Sequence, residues 1–262
     1  MSSPGITIGP GITIGGGIDI GGGVVPFSSG NGSLQFGTAG SVSGEVAILS
    51  GTNGLSLSGA AWTVETWFNT TSTDAGNNQL FGKWDSWDST QLLEYKMYHL
   101  SAAYMEFTVK NTVGGNWCDI IWPAPSQGSW HHVAIVFNFP NVYVYLDGVQ
   151  QALGYGGANG YYATKVGTVN TNTGAAFEIG GGNYSNGLHV GQQYYGYISN
   201  LRINNTTALY TSNFTPSLSP LTNISGTTIL LNTKSGSQLV DATGTYSPQV
   251  YGTVVQSNYG PF

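Results

Sequence analysis

Short runs of alternating apolar and polar residues, punctuated by glycine, asparagine and proline, recur between residues 33 and 233, and no stretch sustains a 3.6-residue period. Successive side chains of an extended strand face opposite ways, so a period of two lets one face bury while the other meets a different environment. In 62–70, Trp62, Val64, Thr66 and Phe68 oppose Thr63, Glu65, Trp67 and Asn69. In 142–146, Val142, Val144 and Leu146 oppose Tyr143 and Tyr145. In 197–203, Tyr197, Ser199, Leu201 and Ile203 oppose Ile198, Asn200 and Arg202. The same reading places strands at 79–84, 92–100, 105–111, 117–122, 130–138, 142–151, 175–180, 195–205 and 227–232, all rich in β-branched and aromatic residues. Asp147-Gly148 between two such runs is a hairpin signal. So many short strands in roughly 200 residues point to an all-β fold, an antiparallel two-sheet jelly-roll sandwich.

Ahead of this region stand three near-copies of one hexapeptide: GITIGP at 5–10, GITIGG at 11–16 and GIDIGG at 17–22. Ile6, Ile8, Ile12, Ile14, Ile18, Ile20 and then Val24 all occupy even positions. Fully extended at roughly 3.3 Å per residue, they make one apolar stripe about 65 Å long. A lone strand of this kind is unstable and invites pairing with another chain. Residues 1–29 therefore read as an attachment or assembly arm, 30–245 as the jelly-roll domain and 246–262 as an extended tail.

Charged residues make up only 7% of the 262, and Gly, Ser, Thr and Asn supply a neutral polar surface. With a net charge of −6 and a single arginine, Arg202, no basic patch can be drawn, which argues against nucleic acid as a partner. No apolar run approaches the roughly 20 residues of a membrane span, and the N-terminus lacks the basic start of a secretory signal. One cysteine, Cys118, excludes an internal disulfide.

Glycoside hydrolysis needs two carboxyl groups held across the scissile bond. Glu45, Glu65, Glu94, Glu106 and Glu178 start no strand motif of paired acids, and Glu65 reads as an outward strand residue. His131 and His132 are adjacent on an expected strand, so they point to opposite faces and make no metal pair. No nucleophile elbow or phosphate-binding loop occurs. Aromatic residues in expected loops remain: Trp84, Trp87, Tyr155, Tyr161, Tyr162, Tyr184 and Tyr194, flanked by Asn, Asp and Gln. Flat rings beside such polar groups suit sugar rings, subunit contacts or loop-on-core packing alike. Trp62, Trp67 and Trp130 read as core.

Several stretches together resemble the laminin-G-like branch of the concanavalin A-like lectin/glucanase superfamily. SLQF at 33–36 looks like its opening strand, and WTVETWF at 62–68 like its first long core strand. WHHVAIV at 130–136 with VYLDG at 144–148 resembles its most recognisable hairpin. FEIG at 177–180, GYISNLRI at 196–203 and the return TILL at 228–231 complete the pattern. ALYTSNFTP at 208–216 is similar to a tail common in members from phage virion proteins. The resemblance implies the jelly roll, and a role among sugar-binding modules, adhesive domains or capsid and tail appendages. Some members hold calcium near the sheet rim; Asp85 and Asp88 are the nearest candidate pair here, with two solvated loop carboxylates as the favoured alternative. No other cofactor is expected.

The expectation is a non-enzymatic phage virion structural protein, a capsid decoration or fibre component at the virion surface, made in the host cytoplasm without a signal peptide. Its partners would be copies of itself, as a trimer or polymer, or other virion proteins, with surface glycans as further contacts and neither nucleic acid nor membrane. The alternative is a carbohydrate-binding adhesin whose arm is only a spacer.

Overall fold

The computed structural model describes residues 32–37, 44–48, 52–73, 78–85, 92–110, 117–154, 171, 175–181, 192–233 and 239–262. The arm residues Ile6, Ile8, Ile12, Ile14, Ile18, Ile20 and Val24 lie outside that set. The described residues form sixteen strands: β1 (Ser33–Phe36), β2 (Gly44–Ile48), β3 (Ala61–Thr70), β4 (Asn78–Asp85), β5 (Leu92–His99), β6 (Tyr104–Lys110), β7 (Trp117–Pro123), β8 (His131–Asn138), β9 (Asn141–Leu146), β10 (Val149–Gln150), β11 (Phe177–Ile179), β12 (Gly196–Asn204), β13 (Thr227–Thr233), β14 (Leu239–Asp241), β15 (Gln249–Gly252) and β16 (Val255–Ser257). All pair antiparallel, in two sheets. The larger runs β10-β9-β8-β3-β12-β1-β16, with β13 also on β12 and β14 on β13; the smaller runs β15-β2-β11-β4-β5-β6-β7. This is the jelly-roll sandwich that period-two patterning predicts.

Large apolar side chains from the two inner faces interdigitate. Trp62 of β3 stacks on Phe137 of the same sheet, centroids 5.2 Å apart, and tilts onto Phe107 of the opposite sheet at 6.0 Å. Tyr95, Phe107, Phe177 and Phe81 continue the aromatic layer. Tyr95 is fully buried, and its hydroxyl donates to the Leu55 carbonyl at 2.7 Å, so its polar end is paired inside the core.

Strict alternation fails in β12, where Ile198, Leu201 and Ile203 face the core. A bulge lies between Ser199 and Arg202, with Asn200 at φ 53°. The extra residue turns Arg202, rather than Leu201, to the outer face, opposite Glu65. Asn tolerates this left-handed conformation. Its amide holds the bulge: Nδ2 donates to Ser199 Oγ at 2.8 Å, and Oδ1 accepts from the Leu221 backbone at 2.9 Å.

The C-terminal segment joins both layers. β15 pairs with β2 in the smaller sheet and β16 with β1 in the larger. Within the segment read as a tail, Gln249–Gly252 and Val255–Ser257 are strands of the sandwich.

Candidate functional site

Polar side chains from three neighbouring strands meet on the outer face of the smaller sheet. Tyr95, Met97, Phe107, Val109, Cys118 and Ile120 point into the core, so their alternates Lys96, Tyr98, Glu106, Thr108 and Asp119 point out. Register brings them together: Lys96 lies opposite Thr108, Thr108 opposite Asp119, and Tyr98 opposite Glu106. The Tyr98 hydroxyl donates to Glu106 Oε1 at 2.5 Å. Thr108 Oγ1 lies 2.8 Å from Glu106 Oε1 and 3.1 Å from Asp119 Oδ1. A hydroxyl has one proton, so both contacts close as hydrogen bonds only when one carboxyl is protonated. Electrostatics agrees. Burial raises the pKa of Glu106, with the Asp119 charge adding to it, and burial likewise raises Asp119. Both shifts favour the protonated form that would let Thr108 bridge the two carboxyls.

Lys96 completes the group. Its ammonium sits 4.6 Å above the Trp84 ring and 4.5 Å above Tyr98. Burial lowers its pKa. Perturbed titratable groups gathered on one face mark a functional candidate. The set gathers carboxyl, hydroxyl and ammonium groups beside two rings, with Lys96, Tyr98, Glu106 and Thr108 buried and Asp119 half-buried. As a glycosidase pair it lacks the gap that a scissile bond occupies, because both acids converge on one hydroxyl.

A second polar network lies on the outer face of the larger sheet. Glu65 Oε1 accepts from Arg202 Nε at 2.9 Å and Nη2 at 2.5 Å; Oε2 accepts from His132 Nε2 at 3.1 Å and the Tyr210 hydroxyl at 2.8 Å. Burial alone would raise the Glu65 pKa, but the His132 hydrogen bond and the Arg202 charge more than reverse this and hold it below the usual range. Tyr210 comes from a strap, residues 206–216, whose Phe214 stacks on Tyr210 with centroids 3.7 Å apart and packs edge-on to Tyr145 and His132. Small Ala134 and Val136 beneath leave room for those rings. Glu65 therefore faces outward, as the pattern predicts, yet is sealed in because the strap covers it. His132 shares that burial, while His131 on the other face meets Asp147 Oδ2 at 2.7 Å.

Two of the expected loop aromatics are placed differently. Trp84 sits on β4, only 7% exposed, with Lys96 over its ring, so it offers no free stacking face. Tyr194 is a correction: it is fully buried, edge-on to Phe36 at 6.0 Å, with its hydroxyl 3.1 Å from Thr70 Oγ1. Its backbone N–H donates to the Gly180 carbonyl at 2.9 Å, which fixes the segment before β12 against the smaller sheet. Asp85 ends β4. Asp88, Trp87, Tyr155, Tyr161, Tyr162 and Tyr184 lie outside the described residues, although Gly154, beside Tyr155 in sequence, bridges Ile121 on the edge strand β7. Among the described residues, no group of three or more His, Cys, Asp or Glu side chains is arranged to hold a metal ion. Sequence reasoning missed the Lys96 cluster. Its only trace is polar residues at alternate positions, Glu94, Lys96 and Tyr98, then Glu106, Thr108 and Lys110, with Asp119 beyond, and their convergence depends on register.

The family model described as the concanavalin A-like lectin/glucanases superfamily, of laminin G type, matches residues 40–210. No curated protein matches the chain. Among solved structures, a candidate carbohydrate-binding protein of Bacteroides ovatus aligns with a TM-score of 0.53 at 16% identity, over 88% of this chain and 60% of that one. This chain thus spans less than two thirds of that protein. A heptameric SAP-like pentraxin of Limulus polyphemus aligns with a TM-score of 0.46 at 16% identity, over 85% of this chain and 95% of that one. The CBM40 of a Ruminococcus gnavus sialidase, bound to α2,3-sialyllactose, aligns with a TM-score of 0.43 at 17% identity, over 68% and 88%. At these identities the likeness concerns the fold alone, and the last two add nothing to it.

Proposed function

We propose, from the premise that the chain belongs to the concanavalin A-like lectin/glucanases superfamily, that it is a non-enzymatic carbohydrate-binding module. The observation that carries this reading is the cluster of Lys96, Tyr98, Glu106, Thr108 and Asp119 on one sheet face. Sugar hydroxyls need donors and acceptors fixed at short range on a rigid support, and adjacent strands supply both. The solved relative from Bacteroides ovatus, described by its carbohydrate binding, points the same way. Full-length protein on a broad glycan array should show saturable binding that falls at least tenfold in Asp119→Asn. No binding across the panel, or binding indifferent to that variant, overturns the reading; turnover of a polysaccharide overturns its non-enzymatic half.

The finer proposal is that this module belongs to a virion structural protein, a capsid decoration or fibre component fastened by residues 1–29. Its supports are the even-position isoleucine stripe and the phage-like stretch at 208–216. Strand addition is the mechanism: backbone hydrogen bonds give affinity and the isoleucines give register. Light scattering should find full-length protein oligomeric and a chain beginning at residue 30 folded but monomeric. Equal masses would leave the arm a spacer, as in the adhesin alternative.

A further inference from the structure

The outer face of the larger sheet has a second covering besides the strap. Residues 258–262 return over β1, β12 and β3. Ser33 Oγ donates to the Tyr259 carbonyl at 2.6 Å, Asn69 Nδ2 donates to the Tyr259 hydroxyl at 3.0 Å, and Phe262 packs edge-on to Trp67 at 5.6 Å. At the Asn69 end of this segment, the end away from the strap, aromatic rings reach the surface. Trp130 lies 5.5 Å from Tyr259 and 6.2 Å from Tyr197, and Tyr197 lies 4.9 Å from Tyr259. Tyr259 is 47% exposed, and Trp130 and Tyr197 are half-buried. Register explains the grouping. Tyr197 is directly opposite Asn69, and Trp130 precedes His131, the partner of Phe68, so Asn69 stands between the two rings. Trp130, expected in the core, is thus part of the surface.

Beneath these rings lie unmet polar atoms. Asn69 Oδ1, Trp67 Nε1 and Trp130 Nε1 are buried without a hydrogen-bond partner. Asn69 itself is 2% exposed and directs its amide at Tyr259. Buried polar atoms are nearly always paired, and two unpaired ones at this aromatic cluster, Asn69 Oδ1 and Trp130 Nε1, are an invitation to a ligand that brings hydroxyls. Among the described residues, the arginine of this face is occupied: Arg202 is forked onto Glu65. With a chain charge of −6 as well, an acidic sugar finds nothing here to pair with.

We propose that Trp130, Tyr197, Tyr259 and Asn69 form a second carbohydrate site, for an uncharged pyranose, on the sheet opposite the Lys96 cluster. The apolar C–H face of the sugar stacks on the Trp130 and Tyr259 rings. One sugar hydroxyl donates to Asn69 Oδ1, and another accepts from Trp130 Nε1. Because the Tyr259 hydroxyl sits on the Asn69 amide, the sugar enters by shifting segment 258–262, which makes that segment the movable wall of the site.

The test is calorimetric titration of full-length protein with neutral gluco-, galacto- and manno-oligosaccharides, with sialyllactose as the charged comparison. A neutral sugar should bind, sialyllactose should not compete with it, and Trp130→Ala should weaken binding at least tenfold. Tyr259→Ala, at a half-exposed position, repeats the test where Trp130→Ala fails to fold. Neutral sugar binding unchanged in a folded Tyr259 or Trp130 variant overturns the proposal, as does the absence of any neutral sugar binding. Displacement of segment 258–262 by a free Tyr-Gly-Pro-Phe peptide but by no sugar also overturns it, in favour of a groove for peptide. Asp119→Asn separates the two sites. Binding lost there and kept in Trp130→Ala overturns this site alone, while the reverse leaves this site standing and removes the other.

Discussion

Glu65→Ala should lower the unfolding free energy by about 3–5 kcal/mol, the cost of leaving a buried charge without its counter-ion. Glu65 is fully enclosed and Arg202 nearly so. Removing the carboxylate strands the guanidinium, whose remaining protein partner is the Thr222 carbonyl at 2.9 Å, and also strands His132 Nε2 and the Tyr210 hydroxyl. The pH dependence has a definite sign. The folded pKa of Glu65 is depressed below its ordinary 4.5. The unfolded chain therefore binds its proton first as pH falls. The stabilisation is complete above about pH 4.5 and is lost as pH drops through the folded value. Denaturant titrations of wild type and Glu65→Ala should thus differ by the full amount at pH 7 and converge in acid. A difference below about 1 kcal/mol at pH 7, the level of a surface pair, would mean that water reaches the network and that the strap does not seal it.

That network shows where sequence reading stopped. Period-two patterns located the long strands of both sheets, because each has one face packed in a common core: Trp62, Val64 and Phe68 on β3, or Val133, Ile135 and Phe137 on β8. The opposed faces of His131 and His132 followed from the same rule. What alternation does not carry is what covers the outer face. Glu65, Trp67 and Asn69 alternate correctly with the core residues and are nonetheless buried, since segments roughly 140 and 190 positions away in sequence lie on them. The bulge at Asn200 escaped for a related reason. One inserted residue shifts every later position by a face, and only pairing with β3 reveals it. The Lys96 cluster needed the registers of β5, β6 and β7 together. Tyr194 looked like loop because Gln192 and Gln193 precede it, but its contacts with Phe36, Thr70 and the Gly180 carbonyl draw it inward.

Gly148→Ala should be the most damaging change of a single methyl group, costing about 1–2 kcal/mol for the left-handed backbone and roughly 1–3 kcal/mol more for overpacking. The Asp147-Gly148 turn has φ of 50° and 78°, the mirror-image turn whose twist suits a two-residue hairpin. Asp147 bears its share through its carboxylate, which accepts from the His132 backbone at 2.8 Å and meets His131 Nδ1 at 2.7 Å. Gly148 has a second duty that no turn rule announces. Its carbonyl accepts from the Phe214 backbone at 2.9 Å, and a Cβ there would stand 1.9 Å from the Phe214 carbonyl oxygen. The obstacle is backbone, so no rotamer relieves it. The strap must lift, and Phe214 and Tyr210 lift with it from Tyr145, His132 and Glu65. The variant should therefore lose stability and also expose the Glu65 network. Amide exchange at residues 206–216 should accelerate well before the core strands open, and the Glu65→Ala cost measured in the Gly148→Ala background should shrink toward that of a solvated pair. Additive losses in the double variant would show that the strap and the buried charge are independent. Strong coupling would show that a hairpin glycine holds the lid over the carboxylate.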